Sequence, residues 1–231
     1  MIEVEQIGFI GSLDKKDLLI NLSTLITSMG KKVLIVDATY LQRFRYIVPK
    51  VNPNSPMTFV SDYQGIDVAV GFMNLGGVAQ FLGTNELRYD YIFVDTDNIQ
   101  TLYSFMVPSM KRIFFATSFD KFEMHRAVEM FQNVNVPMDL TKLIFSSYIN
   151  EQEEKVLDNL LGTDKIRFLP NKVLISDTDM DRVATLENQL ASKVTFRHYS
   201  SVYKDGLEYL ASMICDGVLK QPDIKREIRK I

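Results

Sequence analysis

The chain of 231 residues has a single cysteine, Cys215, two histidines and no tryptophan. One thiol excludes an internal disulfide framework. With only His125 and His198 beside it, a structural zinc site has too few ligands, so no metal centre is expected. Neither histidine has cysteines or an acidic cluster at ligand spacing. Cys215 falls beside Met213 and Ile214 on an apolar face, where packing is the ordinary role. Positive charge is not in excess either: 26 Lys+Arg against 29 Asp+Glu give −3. That balance offers no general field for nucleic acid, and any contact with an anionic surface has to be local. No apolar run approaches the roughly 18 residues of a membrane span. The opening Met1-Ile2-Glu3-Val4-Glu5 lacks the basic and apolar regions of a secretory signal, so a cytoplasmic protein is expected.

What the chain does have is alternation. At 46% apolar and 24% charged residues it has ordinary globular composition. Short runs rich in Val, Ile and Phe at 7–10, 33–36, 66–70, 91–94, 112–116, 143–147 and 166–169 predict strands covered on both faces. Between them lie helical stripes: Leu18, Leu22, Leu25 and Ile26; Phe122, Val128, Met130 and Phe131; Val156, Leu157, Leu160 and Leu161. Further helices are expected near 179–192 and 202–215, and Gly30 stands where a helix C-cap belongs. This pattern predicts an α/β fold: a doubly wound, mostly parallel sheet with helices on both faces. The proline-rich stretch 49–56 reads as a loop, and the five glycines between 65 and 83 as a turn-rich excursion. One domain is expected over 1–217, followed by a tail at 218–231.

In such a sheet, ligands gather at the carboxyl ends of the strands. The first of these ends reads Phe9-Ile10-Gly11-Ser12-Leu13-Asp14-Lys15-Lys16-Asp17 and then turns helical. A glycine, a short polar loop and a lysine at a helix start have the layout of a phosphate cradle, with backbone N–H groups and the positive helix end facing the anion. Gly11, Ser12, Lys15 and Lys16 are therefore the candidate phosphate contacts. Against the pattern G-x-x-x-x-G-K-S/T, however, the loop is two residues short. Asp14 replaces the second glycine, and Lys16-Asp17 replaces the hydroxyl that holds magnesium. A carboxylate about 4 Å from a phosphate charge costs on the order of 1 kcal/mol in water and about 4 at an effective dielectric near 20. Each charge-assisted donor lost forfeits roughly 1.5–3 kcal/mol more. Since micromolar affinity totals only about 8 kcal/mol, a few such losses erase it.

Two more strand ends carry acids: Val33-Leu34-Ile35-Val36-Asp37-Ala38-Thr39 and Tyr91-Ile92-Phe93-Val94-Asp95-Thr96-Asp97. Asp37 is a candidate for activating water and Asp95 for a place near a magnesium ion. The alternative is that both simply cap loops.

These motifs, in this order, resemble the MinD/ParA family of deviant Walker A ATPases over nearly the whole chain. Residues 7–22 look like that family's P-loop and first helix, with Asn21-Leu22 matching its Asn-Leu. Gly30-Lys31-Lys32-Val33-Leu34-Ile35-Val36-Asp37-Ala38 looks like its first switch strand. Tyr89-Asp90-Tyr91-Ile92-Phe93-Val94-Asp95-Thr96 looks like its Walker B and second switch, and Phe168-Leu169-Pro170 like its late strand and proline.

The departures lie where ATP is handled. The family's early signature lysine is absent from Gly11-Ser12-Leu13. Its first-switch Asp-Ala-Asp becomes Asp37-Ala38-Thr39, its second-switch Asp-Thr-Pro-Pro becomes Asp95-Thr96-Asp97-Asn98, and its adenine-reading Asn-Arg becomes Ser146-Ser147. The resemblance therefore implies a P-loop NTPase-like three-layer sandwich acting as a pseudo-ATPase. Such a scaffold would dimerise and position or assemble bacterial machinery for division, pilus formation, secretion or partition, with no cofactor expected. The alternative it leaves is a divergent, partner-stimulated ATPase using ATP and magnesium. A second alternative is a non-specific DNA-binding partition protein, which the net charge disfavours.

The tail has its own pattern. Ile224, Ile228 and Ile231 fall at i, i+4 and i+7, with Lys225, Arg226, Arg229 and Lys230 around them. A short basic amphipathic helix of this kind can lie on an anionic membrane or in a partner's groove. Ile224, Lys225, Ile228, Arg229 and Ile231 are accordingly the expected membrane or partner contacts, and the resemblance adds a C-terminal membrane-targeting helix in the same region. A peripheral position on the inner face of the cell membrane follows as an expectation.

Overall fold

The computed structural model describes residues 4–49, 57–146, 148 and 151–231. Eight strands form one sheet: β1 (Glu5–Ile10), β2 (Val33–Asp37), β3 (Phe59–Tyr63), β4 (Ile66–Val70), β5 (Tyr91–Thr96), β6 (Arg112–Thr117), β7 (Met138–Phe145) and β8 (Ile166–Ile175). The helices are α1 (Lys16–Ser28), α2 (Leu75–Phe81), α3 (Ile99–Ser104), α4 (Lys121–Phe131), α5 (Glu151–Leu161), α6 (Asp179–Ala191), α7 (Ser201–Ile214) and α8 (Gln221–Ile228). Across the sheet the order is β3-β4-β2-β5-β1-β6-β7-β8, and only the β3–β4 pair is antiparallel.

Unbroken apolar strands require cover on both faces, and the core divides accordingly. On one face Phe9, Ile35 and Phe114 pack with Leu22 of α1, Ala184 of α6, Leu207 of α7 and Ile224 of α8. On the other, Ile10, Val36 and Phe115 pack with Val78 of α2, Leu102 of α3, Met130 of α4 and Leu157 of α5. The doubly wound, three-layer α/β architecture read from the sequence is thus the fold. β1 lies between β5 and β6, and the chain leaves it in one direction for β2 and later returns to its other side at β6. A crevice at the carboxyl ends is expected at such a reversal.

Some elements differ from the sequence reading. β3 was not anticipated: its burial alternates, as in a half-covered antiparallel edge strand, and so gives no continuous apolar run. Within the glycine-rich stretch, Asn74 accepts a hydrogen bond from Gly77 N and starts α2; the helix is too short to leave a periodic signature. β7 begins five residues before the expected 143, because Asp139, Thr141 and Lys142 interrupt its apolar pattern. Buried Lys142 is satisfied by Glu154 at 2.5 Å and Asp158 at 2.9 Å, both on α5. β8 runs on past Pro170, which an edge strand tolerates at an irregularity in the register. Of the expected loop at 49–56 only Pro49 lies within the described residues, and Ser147 lies outside them.

The tail requires the largest correction. The 224/228/231 pattern does form a helix, α8, but its apolar face points inward. Ile224 is 0% exposed and Ile228 6%, and Ile231 packs against the same core. Outside, Lys225 lies 3.8 Å from Glu208, Arg226 2.9 Å from Asp223 and Lys230 2.6 Å from Glu227. Thr195 Oγ1 donates to the Ile231 carbonyl at 2.6 Å. Ile224 and Ile228 are therefore closed to membrane or partner, Ile231 is partly buried, and Lys225 and Arg229 lie at the surface. The segment after 217 is the last layer of the domain, not an appendage to it. Among the described residues no helix is long and apolar enough to cross a membrane.

Candidate functional site

The loop from β1 to α1 lies where the sheet predicts a ligand site. Gly11 takes φ +124°, and a Cβ there would come 2.2 Å from the Ala116 carbonyl, so only glycine fits the turn. The loop then brings Lys15 inward instead of outward. Lys15 is 2% exposed, and its Nζ donates to the carbonyls of Gly11 at 2.5 Å and Leu13 at 3.0 Å. Asp95 Oδ1, at the end of β5, lies 3.0 Å from the same nitrogen, in an ion pair without an aligned hydrogen bond. The ammonium thus fills the loop from within.

Asp14 occupies the rim above it. One oxygen accepts from the Lys16 backbone N–H at 3.2 Å, at the positive end of α1 where an anion is favoured. The other accepts from Lys16 Nζ at 2.7 Å and from Arg43 Nη1 at 2.7 Å. Burial alone would push the Asp14 carboxyl up, but Lys16 and Arg43 outweigh it and hold it below the usual carboxylate range. Lys16 also pairs with Asp17 at 2.8 Å; despite its burial, Asp17 and Asp14 keep its ammonium more basic than usual. Ser12 Oγ donates to Glu123 on α4.

Asp37 is fully buried and its oxygens are in use. Oδ1 accepts from Thr39 N at 3.1 Å and Thr39 Oγ1 at 2.6 Å, and Oδ2 from Phe44 N at 3.0 Å. Burial raises its affinity for a proton in spite of these donors. This is the geometry of a loop-capping carboxylate, the alternative weighed above. Asp95 is pushed up to about 7, chiefly by burial and further by Asp37, with Lys15 opposing. Asp97 accepts from Tyr40 N at 2.8 Å, and Asn98 caps α3 through Thr101 N, so the two residues that stand in the Pro-Pro position tie loops together.

Of the loop and strand-end candidates, Ser12, Lys15, Lys16 and Asp95 line one small cavity together with Asp37, and Gly11 reaches it only through its carbonyl, which accepts from Lys15. The cavity they enclose has a volume of only about 30 Å³, close to one water's share of the liquid. A hollow of about 620 Å³ opens on the other side of Asp14, towards α6. Its polar rim is paired: Asp17 accepts from Gln189 at 2.7 Å, Asp177 takes Arg182 in a two-point contact, and Asp181 accepts from Ser176, Thr178 and Ser200. Magnesium triphosphate does not fit the loop in this arrangement. The cavity is too small, Asp14 holds the helix terminus, and no hydroxyl follows Lys15.

Arg43, Thr39 and Glu123 complete the site and were not anticipated. Arg43 and Glu123 lie 29 and 111 residues from their partners in sequence, beyond the reach of any local motif.

No protein-family model and no curated protein sequence matches the chain. Solved structures do share its fold. A ParA family ATPase from Chlorobium tepidum TLS superposes with a TM-score of 0.60 at 14% identity, over 90% of this chain and 98% of that one. The MinC:MinD cell division protein complex of Aquifex aeolicus gives 0.57 at 12% identity, over 94% and 98%. McdA from Cyanothece, in its complex with ATP, gives 0.61 at 9% identity, over 94% and 98%. At these identities the likeness is one of fold: a ParA/MinD-like P-loop NTPase architecture.

Proposed function

We propose that this chain is a pseudo-ATPase scaffold of the ParA/MinD fold, which positions or assembles a bacterial machine through protein–protein contacts. The observation that carries the reading is the placement of Lys15. Its ammonium is consumed by two carbonyls of its own loop and by Asp95, above a cavity of about 30 Å³. Asp14 supports it by standing at the α1 terminus in the place of a phosphate. A homodimer and protein partners in the cytoplasm belong to the same proposal, with no cofactor required. DNA binding stays disfavoured by the net charge of −3. Calorimetric titration with Mg-ATP tests the reading: no saturable heat is expected, and saturable binding that Lys15→Ala abolishes overturns it.

A partner-stimulated ATPase is the second reading, favoured by the convergence of Lys15, Asp37 and Asp95 at one point. It needs Lys15 to leave its carbonyls and the loop to widen. Turnover of Mg-ATP that collapses in Asp37→Ala would establish it; no turnover, or equal turnover in that variant, dismisses it.

A further inference from the structure

Helix α6 is built inside out. Its buried positions are small or polar: Asp181, Ala184 and Asn188. Asp181 accepts from Ser176, Thr178 and Ser200, and Asn188 exchanges hydrogen bonds with the Thr195 backbone at 3.0 and 3.2 Å. The large apolar residues lie on the other side. Met180, Val183 and Leu186 are each more than half exposed, and Leu190 is 87% exposed. At 3.6 residues per turn, spacings of three, three and four hold these four on one stripe. A surface helix ordinarily shows the reverse, with its apolar stripe on the core. Beside the stripe, between α6 and α1, a hollow of about 440 Å³ is lined by Ile20, Ile47, Leu186, Leu190 and Val194. A continuous apolar surface of this kind marks a site of association.

Two observations name the occupant. The stripe is nearly symmetric about Thr185: Met180 and Leu190 stand five residues to either side, Val183 two before and Leu186 one after. The charges at its ends are opposite and uncommitted. Asp179 opens α6 and Lys193 follows its end; both are exposed, and neither side chain makes a hydrogen bond or ion pair among the described residues. The charges between them are already matched within the chain, Arg182 with Asp177 and Glu187 with His198. We propose that α6 is a self-association surface, on which a second copy of this chain lays its own α6 antiparallel about a two-fold axis beside Thr185. The inference names the surface of the homodimer in the reading above and rests on that reading for self-association, not for the state of the nucleotide loop. Isologous packing sets Met180 against Leu190 of the second copy and Val183 against its Leu186. Asp179 comes level with position 191 of the second copy, about 3 Å along the axis from Lys193, and symmetry makes this contact twice. Parallel packing would set Asp179 against Asp179, a like-charge clash.

Sedimentation velocity of the full chain over a concentration series tests the surface. The wild type is expected to dimerise. Leu190→Glu, at the most exposed position of the stripe, is expected to raise the dissociation constant at least tenfold with an unchanged circular-dichroism spectrum. Lys193→Glu is expected to weaken the dimer, and its combination with Asp179→Lys to restore it. Orientation is read by oxidation of single-cysteine variants, since native Cys215 is buried. In the antiparallel pair Val183→Cys lies about 6 Å along the axis from its mate and Met180→Cys about 15 Å. A disulfide-linked dimer is therefore expected from the first and not from the second. Cross-linking of both or of neither, or a dimer indifferent to Leu190→Glu, overturns the α6 surface and leaves the homodimer standing. A wild type that stays monomeric at every concentration overturns the surface and the homodimer together. Neither result touches the loss of ATP binding, which the Mg-ATP titration decides separately.

Discussion

Lys15 Nζ lies 3.0 Å from Asp95 Oδ1, and the two side chains are almost completely removed from water. The pair joins the first loop to the end of β5. Two central strands are thereby fastened at the edge where the fold would otherwise be open to a ligand. Buried pairs of this kind contribute little net stability, but breaking one leaves an uncompensated charge, at a typical cost of 3–5 kcal/mol.

Lys15→Met is accordingly expected to destabilise the protein by a few kcal/mol, measured as a lower urea midpoint with an unchanged denaturant slope. The double variant carrying Asp95→Asn as well should recover much of the loss, because no charge is then stranded. If Lys15→Met melts like the wild type, the buried cation is not holding the loop.

The pH dependence of stability follows from the same pair. Asp95 titrates at about 7 in the fold, against 3.8 for an ordinary aspartate. Between those values the folded chain keeps a proton that the unfolded chain has released, so the Asp95 contribution falls as pH rises from about 4 to about 7 and is level above. Burial moves Asp37 in the same direction. Asp14, Glu154 and Asp181 are shifted the other way, and what they contribute is lost only on acidification below the ordinary carboxylate range. The window from pH 5 to 7.5 therefore isolates the buried acids. Unfolding free energies of Asp95→Asn should decline less steeply across it than those of the wild type; parallel curves would sink the assignment.

The central sheet was legible because its physics is local: strands covered on both faces must be apolar throughout, and β1, β2, β5 and β6 are. β3 was missed because an edge strand needs only every second residue inside, and its Asp62 faces out. The candidate site was half legible. Loop length and Asp14 showed only that the loop departs from the pattern G-x-x-x-x-G-K-S/T. Nothing local showed that Lys15 turns inward or that Arg43 and Glu123 close the loop, because those partners are set by strand order. Amphipathic spacing in α8 gave the helix and its apolar face correctly. It could not say whether that face meets lipid, a partner or the protein's own core, since all three demand the same pattern.

Asn21 gives a third prediction. It matches the Asn of the Asn-Leu pair in the resembling family, yet its amide lies deep in the α1–α7 interface. Nδ2 donates to Tyr203 Oη at 2.7 Å and to Tyr199 Oη at 3.0 Å, and the two rings stack at 4.3 Å. Its part is therefore to satisfy two phenols in an apolar layer. Asn21→Leu leaves them without that donor, and the cost of a buried unsatisfied polar group is about 1–3 kcal/mol. Equal thermal stability of Asn21→Leu and the wild type would show that the phenols find other partners.

The tail gives the fourth. If α8 were a membrane-targeting helix, removing residues 223–231 would abolish sedimentation with anionic vesicles and leave folding untouched. Its burial argues the reverse. Ile224 packs fully enclosed beside α1 and α7, so Ile224→Ala is expected to cost about 2–5 kcal/mol, in the range of large-to-small core changes. Lys225→Ala, on the outer face, should change stability by less than about 0.5 kcal/mol, as surface substitutions do. Truncation after 222 should lower the melting temperature and expose apolar surface that binds a hydrophobic dye. Vesicle binding by the full chain is expected to be absent. Vesicle binding that the truncation removes, with an unaltered melt, would mean that α8 undocks to do its work and that its packed position is only one of two.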